Sequence, residues 1–382
     1  MTQQTPQGGA TQGPAGTGFF RVEEREGSWR LVDPSGRPFV TIGLNHADES
    51  NLKYPYNVDT WRERYGSREK WIRDGVVADM KDWGFNTIGW TQEYVSGGWG
   101  EALDWFGDPI DLGHSTIPWS GADLRNAGMP YVLQLRVQEI EDWNGHPAFR
   151  DVDSDDFDVW CDYLARSVCS SHADDPNLLG YFLVDIPAWL PHAGGRDFPQ
   201  FQGLDEVGRD ARLFDVATTY YEKITRYIRA YDPNHLVLGD RYNGNKGIPT
   251  TVLEAMRPFV DVLSVQYFTT PDDESRQQMR ADLGRWHEVC GKPVIIADIG
   301  NWTPTDMNPH RVSEIVDQAG RGEDYVAAIG AVVDEPWFLG WHWCAYVENA
   351  ARGWGLKDPW DNPYRPLTDR VSAYNRAVSD RA

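Results

Sequence analysis

Eight short apolar runs alternate with amphipathic segments along most of this 382-residue chain, and this alternation limits the folds open to it. The runs have the length of strands and are apolar almost throughout, which is typical of parallel strands covered on both faces. We predict strands at 39–45, 85–90, 130–136, 178–185, 235–241, 260–267, 293–298 and 338–343. The segment 156–169 places its apolar residues on one stripe of a helix. Strands and helices in this order predict an α/β fold, a (β/α)8 TIM barrel.

The N-terminal region differs in composition from the rest of the chain. Residues 1–18 are mostly Gly, Gln, Thr and Pro, and we predict a disordered tail there. Two short strands with turn residues at 33–36 follow and predict an N-terminal β-hairpin. Because no later linker is visible, we expect a single barrel domain over 19–382.

Charge and motifs exclude several classes of function. A formal net charge of −22 argues against nucleic-acid and anionic-membrane partners, which need a basic surface. No apolar run approaches the ~20 residues of a membrane span, and no signal peptide is visible, so we expect a cytoplasmic protein. No nucleotide-binding glycine motif follows a predicted strand, and we expect no cofactor. Four cysteines without CxxC spacing predict free thiols, and homo-oligomer formation is left open.

The abundance of Trp and Tyr points to a carbohydrate partner. The chain has 18 Trp and 17 Tyr against 14 Phe. A flat apolar face with a hydrogen-bonding edge suits the faces and hydroxyl rims of sugar rings. Large barrels also bury many aromatic residues, so composition alone does not decide between the two explanations.

Polar residues cluster at the C-terminal ends of the predicted strands, where the chemistry of such barrels takes place. From these ends and the loops that follow we predict thirteen substrate-binding residues. They are Asn45, His46, Trp90, Glu93, Arg136, Asp240, Arg241, Gln266, Tyr267, Trp302, His342, Trp343 and Glu348.

Two strands end in a lone carboxylate. The runs "GYFLVD" and "VIIAD" are apolar up to Asp185 and Asp298, on the fourth and seventh predicted strands. In a ring of eight strands these two ends face each other across the barrel mouth. Glycoside hydrolysis needs such a pair, because one carboxyl group protonates the leaving oxygen while the other attacks or activates water. We therefore predict Asp185 and Asp298 as catalytic residues.

Several stretches resemble clan A glycoside hydrolases, in particular their agarase and β-galactosidase-like branch. They include "SWRLVDPSGRPFVTIGLNH", "HADDPNLLGYFLVDIPAW" and "GKPVIIADIGNW". The resemblance implies catalytic carboxylates on strands four and seven. It also implies that Tyr267 hydrogen-bonds the nucleophile and that Asn45 and His46 contact sugar hydroxyls.

The chain departs from that family at both catalytic positions. Where the family's fourth strand ends Asn-Glu, with Glu as the acid/base, this chain has Asp185 and Ile186. The family's Glu nucleophile on strand seven is here Asp298. Two shorter side chains widen the gap between the carboxyl groups and favour an inverting mechanism.

Three other interpretations remain open from the sequence. Glu93 or Glu348 can supply the missing acid from a loop. A divalent metal ion can use oxygen and imidazole ligands at the strand ends; the candidates are His46, Asp48, Asp185, Asp240, Asp298 and His342. A barrel that binds sugar without cleaving it is the third.

Overall fold

The computed structural model describes residues 16–92, 118–137, 151–187, 189, 199–349 and 354–381. Glu93, one of the predicted substrate-binding residues, lies outside the described residues, as does most of the predicted N-terminal tail.

Eight parallel strands close into a barrel and confirm the predicted (β/α)8 fold. In chain order they are β4 (Thr41–Leu44), β5 (Thr87–Ile88), β6 (Tyr131–Gln134), β7 (Leu178–Asp185), β8 (Leu236–Asn243), β9 (Leu263–Gln266), β10 (Val294–Ile299) and β11 (Phe338–Trp343). Each pairs with its neighbours in sequence, and β11 pairs with β4 to close the ring. Every strand lies within or overlaps the apolar run that predicted it.

A three-stranded antiparallel sheet precedes the barrel and confirms the predicted hairpin. Its strands are β1 (Arg21–Arg25), β2 (Ser28–Val32) and β3 (Pro38–Phe39). Glu26 and Gly27, both with positive φ, form the tight turn between β1 and β2, as two-residue hairpins require. The predicted turn at 33–36 instead joins β2 to β3. Phe20 and Leu31 pack into the same apolar cluster as the barrel interior, so this sheet covers the barrel end opposite the strands' C-termini.

Ten α-helices are described around the barrel. They are α1 (Val58–Arg64), α2 (Arg68–Trp71), α3 (Val77–Asp82), α4 (Gly121–Ala127), α5 (Asp155–Val168), α6 (Glu206–Tyr231), α7 (Thr250–Met256), α8 (Asp273–Cys290), α9 (Gln318–Gly330) and α10 (Arg365–Ser379). The helix predicted at 156–169 is α5, and Ser154 begins it by accepting a hydrogen bond from the Phe157 amide. No helix in these ranges is long and apolar enough to cross a membrane.

Strand alternation decides which side chains enter the barrel. One apolar cluster fills the barrel interior below the mouth, with residues from five of the eight strands. Its strand members are Val132, Leu179, Phe182, Leu236, Leu238, Ile295, Ala297 and Leu339. The residues between them pack outward against the helices. Because neighbouring strand residues point to opposite faces, only about half of the polar residues at the strand ends can face the mouth.

Candidate active site

Arg241 is the centre of a buried polar cluster at the C-terminal end of the barrel. Its side chain is fully buried, and Nη1 donates to Asp185 Oδ1 at 2.8 Å. Nη2 donates to the carbonyl oxygen of Ala297 at 3.1 Å and lies 3.3 Å from Asp298 Oδ2. The guanidinium carbon is 5.0 Å from the ring centroid of Trp90. One cation therefore holds the two predicted catalytic carboxylates together.

Asp185 enters this cluster because β7 is irregular near its end. Phe182 already faces the barrel interior, so regular alternation would turn Asp185, three residues later, towards the helices. The β7–β8 register shifts between Phe182 and Asp185, and this shift brings Asp185 beside Arg241. Gln266 on β9 also donates to Asp185 Oδ1, at 2.5 Å. Both donors therefore hold the same oxygen of this carboxyl group, Oδ1.

Asp298 enters the cluster in a similar way, through a register shift between Ile296 and Asp298 in the β9–β10 pair. Asn45 Nδ2 donates to Asp298 Oδ1 at 2.8 Å, and His46 Nε2 lies 3.8 Å from Oδ2. Burial raises the pKa of Asp298, but His46, Arg241 and Asn45 together outweigh it and hold the pKa below its ordinary value. An ionised, buried carboxylate at this position can act as a nucleophile or as a general base.

Asn45 and His46 tie the first two barrel strands to Asp298. Asn45 Nδ2 also donates to the Ala297 carbonyl at 2.9 Å, and its Oδ1 accepts from the Trp90 amide at 2.9 Å. His46 Nδ1 lies 2.7 Å from the carbonyl oxygen of Gln92, so this nitrogen carries a proton. The structure thus shows both residues beside the Asp298 carboxylate. Their contacts with sugar hydroxyls stay a prediction.

Three residues just beyond barrel strands have positive φ, a conformation that side-chain-bearing residues rarely adopt. They are His46 (φ 55°), Arg136 (φ 55°) and Ile186 (φ 44°). For a β-branched residue such as Ile186 the strain is largest, and it falls where the chain leaves β7 directly after Asp185. Strain of this kind is common at functional sites, where the surrounding structure enforces it.

Gln134 is an inward-facing residue that is not among the thirteen predicted substrate-binding residues. Val132 faces the interior and Leu133 packs outward, so Gln134 at the end of β6 points inward again. Both polar atoms of its side chain are buried without a hydrogen-bond partner among the described residues. Buried amides normally have partners, so Gln134 is suited to bind a hydroxyl of a ligand.

Asp240 and Tyr267 do not face the mouth, contrary to the predictions, because each is the strand neighbour of an inward-facing residue. The Asp240 carboxylate accepts from the Tyr220 and Tyr221 hydroxyls on α6, at 2.9 and 2.6 Å. The Tyr267 hydroxyl donates to Asp282 on α8 at 2.9 Å and not to Asp298. Near the C-terminal ends of these strands, the inward positions belong to Arg241 and Gln266.

His342 and Trp343, neighbours on β11, likewise point to opposite faces of the barrel wall. Trp343 points outward and packs edge-on against Tyr325, with ring centroids 4.6 Å apart. His342 points inward, and its Nε2 lies 3.0 Å from Thr41 Oγ1. Burial and the charge of Arg241 lower the pKa of His342 to about 3, although Asp298 acts against them, so the imidazole is neutral. It fits only because residue 43 is Gly, since a Cβ there would lie 2.2 Å from the ring.

Glu348 and Trp302 lie in loops outside the Arg241 cluster. The Glu348 carboxylate is fully buried and accepts from Tyr364 at 2.5 Å and from Asn308 at 2.8 Å. Glu348, predicted as an alternative acid, is therefore part of a separate hydrogen-bond network. Trp302 donates to the Val312 carbonyl, and its ring lies 5.3 Å from that of Trp354.

The six predicted metal ligands do not form one cluster. Asp48 caps a short helix by accepting from the Ser50 amide, and Asp240 faces α6. His46 and Asp298 do form a possible ligand group with Cys344, their ligand atoms lying within 4.8 Å of one another. A cation there would compete with Arg241 for Asp298, so the cluster favours carboxylate chemistry over metal binding.

Asp240 provides a pH test of the packing between β8 and α6. Burial raises its pKa to about 6 from 3.8, although hydrogen bonds from Tyr221 and Tyr220 act in the opposite direction. Between about pH 4 and 6 the folded state therefore keeps a proton on Asp240 that the unfolded state has lost. The contribution of Asp240 to the free energy of unfolding thus falls as pH rises through this window. We expect the unfolding free energy of the wild type to fall by up to ~3 kcal/mol relative to Asp240→Asn between these pH values. Urea titrations at several pH values measure this; a difference that is constant with pH would contradict it.

No family model matches this chain. It is 21% identical to Beta-agarase B of Vibrio sp. (strain JT0107), over 97% of this chain and 49% of that protein. It is 22% identical to Beta-agarase A of the same strain, over 94% of this chain and 45% of that protein. The chain thus spans about half the length of the curated relatives it matches.

Solved structures share the fold at low sequence identity. An exo-beta-agarase superposes with a TM-score of 0.72 at 18% identity, covering 96% of this chain and 66% of that chain. A beta-glucuronidase of an uncultured Clostridium sp. gives a TM-score of 0.57 at 13% identity, covering 94% and 53%. At these identities the similarity establishes the barrel fold.

Proposed function

We propose that this chain is a glycoside hydrolase that cleaves a glycosidic bond at the mouth of the barrel with Asp185 and Asp298. The observation that carries the proposal is the buried pair of carboxylates joined by Arg241 at the strand ends. Similarity to two beta-agarases over nearly the whole chain supports a galactose-containing oligosaccharide or polysaccharide as the substrate.

The surroundings of the two carboxylates suggest their roles. Asp298, with its lowered pKa, is the group that attacks the sugar or activates a water molecule. Asp185 is the second carboxyl group, and because Arg241 and Gln266 hold its Oδ1, a proton that it delivers has to come from Oδ2. Gln134, Asn45 and Trp90 line the same end of the barrel and are proposed to contact the sugar.

The proposal predicts hydrolysis without an added metal. We expect the protein to release reducing sugar from agarose or from galactose-based nitrophenyl glycosides, with the same rate before and after treatment with EDTA. Proton NMR of the anomer formed first then distinguishes the predicted inversion from retention. No release from any glycoside of a broad panel would contradict the proposed activity.

A metal-dependent hydrolase on the same barrel is the second candidate, because His46, Asp298 and Cys344 come together at the mouth. It predicts the opposite result in the EDTA experiment. Activity lost on chelation and restored by Zn²⁺ would favour it, since imidazole, carboxylate and thiolate are all zinc ligands.

A further inference from the structure

Two exposed aromatic side chains, Tyr56 and Trp360, lie next to each other on the mouth side of the barrel. Tyr56 follows β4 and Trp360 follows β11, and these strands are neighbours in the ring. The ring centroids are 6.4 Å apart and the ring planes meet at 63°. Their side chains are 40% and 42% exposed. We call this pair the rim platform.

The Tyr56 half of the platform rests on a buried support. Tyr54 stacks beneath Tyr56 with nearly parallel rings, 5.3 Å apart, and is itself buried. Asn57, also buried, accepts from the Tyr54 amide at 3.0 Å and donates to the Pro359 carbonyl at 2.6 Å. A single side chain thus connects the loop that carries Tyr56 to the loop that carries Trp360.

The Trp360 half is fixed by a turn and a buried ion pair. Asp358 Oδ1 accepts from the Trp360 amide at 2.9 Å. The neighbouring Asp361 is buried and pairs with the buried Lys357 at 2.5 Å. Asp361 also accepts from the Tyr65 hydroxyl at 2.7 Å. These contacts hold the loop in place while the Trp360 ring stays exposed.

A rigid support for exposed aromatic rings is suited to binding a ligand. Leaving a Trp side chain in water forgoes much of the ~2 kcal/mol or more that its burial would contribute. A preorganised ring loses little entropy when a ligand stacks on it. Two rings are too small for a stable protein interface, which needs about 800 Å² from each partner. The net charge of −22 disfavours polyanions, so a neutral ligand with apolar faces fits best.

We propose that Tyr56 and Trp360 bind sugar units of a neutral polysaccharide chain outside the units held over Asp298. This inference rests on the proposed function, which gives the reason for a polysaccharide chain to extend from the platform towards Asp298. Binding at the platform needs no bond cleavage, so the two proposals can be tested separately.

Affinity electrophoresis tests the platform directly. Wild type, Tyr56→Ala and Trp360→Ala are run in native gels with and without agarose, β-1,4-galactan or β-glucan. We expect at least one polysaccharide to retard the wild type, and each variant to bind it about tenfold more weakly. Tyr163→Ala is the matched control, because Tyr163 is 53% exposed on α5, outside the two loops that carry the rim platform. It should behave as the wild type does.

Activity separates the platform from the reaction centre. Trp360→Ala should lower kcat/KM on the retarding polysaccharide about tenfold and leave a short nitrophenyl glycoside unaffected. Equal retardation of Trp360→Ala and wild type, or no retardation of the wild type by any of the three polysaccharides, would overturn the platform. Retardation that depends on Trp360 without release of reducing sugar would support the platform and contradict the proposed hydrolase.

Discussion

Replacing Asp298 by Asn is expected to lower kcat at least ~1000-fold on any glycoside that the wild type cleaves. The substitution keeps the shape of the side chain but removes the charge that attacks the sugar or activates water, and such losses amount to ~4 kcal/mol or more in the barrier. Initial rates on agarose oligosaccharides and nitrophenyl glycosides measure the effect. The loss should be similar for good and poor leaving groups.

Asp240→Asn is the matched control for Asp298→Asn. Asp240 is equally buried and also lies near the end of a barrel strand, but its carboxylate faces α6. We expect this variant to retain most of the wild-type activity at neutral pH. If Asp298→Asn retained activity within threefold of the wild type, Asp298 would have no place in the mechanism.

Asp185→Asn gives a different pattern if Asp185 donates the proton. A leaving group such as dinitrophenolate departs without protonation, so its release should fall much less than the cleavage of an agarose oligosaccharide. Equal losses on both substrates would instead show that Asp185 acts only by holding Arg241.

The second large effect is expected for Arg241→Met and concerns stability. This residue is fully buried between Asp185 and Asp298, and its removal leaves two buried carboxylates without their shared cation. Breaking a buried ion pair from one side costs about 3–5 kcal/mol. We expect a decrease of this size in the free energy of unfolding, measured by urea titration at pH 7.

The double variant Arg241→Met with Asp185→Asn tests the cause of that decrease. Removing one of the unpaired charges should restore part of the lost stability, because the residual penalty then comes from Asp298 alone. The loss would have another origin, such as a packing defect, if the two substitutions were additive.

Much of the fold followed from the sequence because parallel barrel strands are nearly continuous apolar runs. β7 and β10, for example, coincide with "LLGYFLVD" and "VIIADI" to within a residue of the predicted bounds. Asn45, His46 and Trp90 could be placed at the mouth because each ends a predicted run or follows it directly. The inward direction of Gln266 but not Tyr267, or of Arg241 but not Asp240, could not be predicted, since the phase of the alternation is not visible at a strand end.

By itself, the sequence determined the number and spacing of the strands and the position of a lone carboxylate at the ends of two of them. Only the tertiary structure decided that both carboxylates face the interior. Each turns inward at a register shift, between Phe182 and Asp185 and between Ile296 and Asp298. A register shift arises from pairing with a neighbouring strand that is distant in sequence, so no local pattern encodes it. The same pairing set Arg241 beside Asp185, and with it the ion pairs that join the two halves of the site.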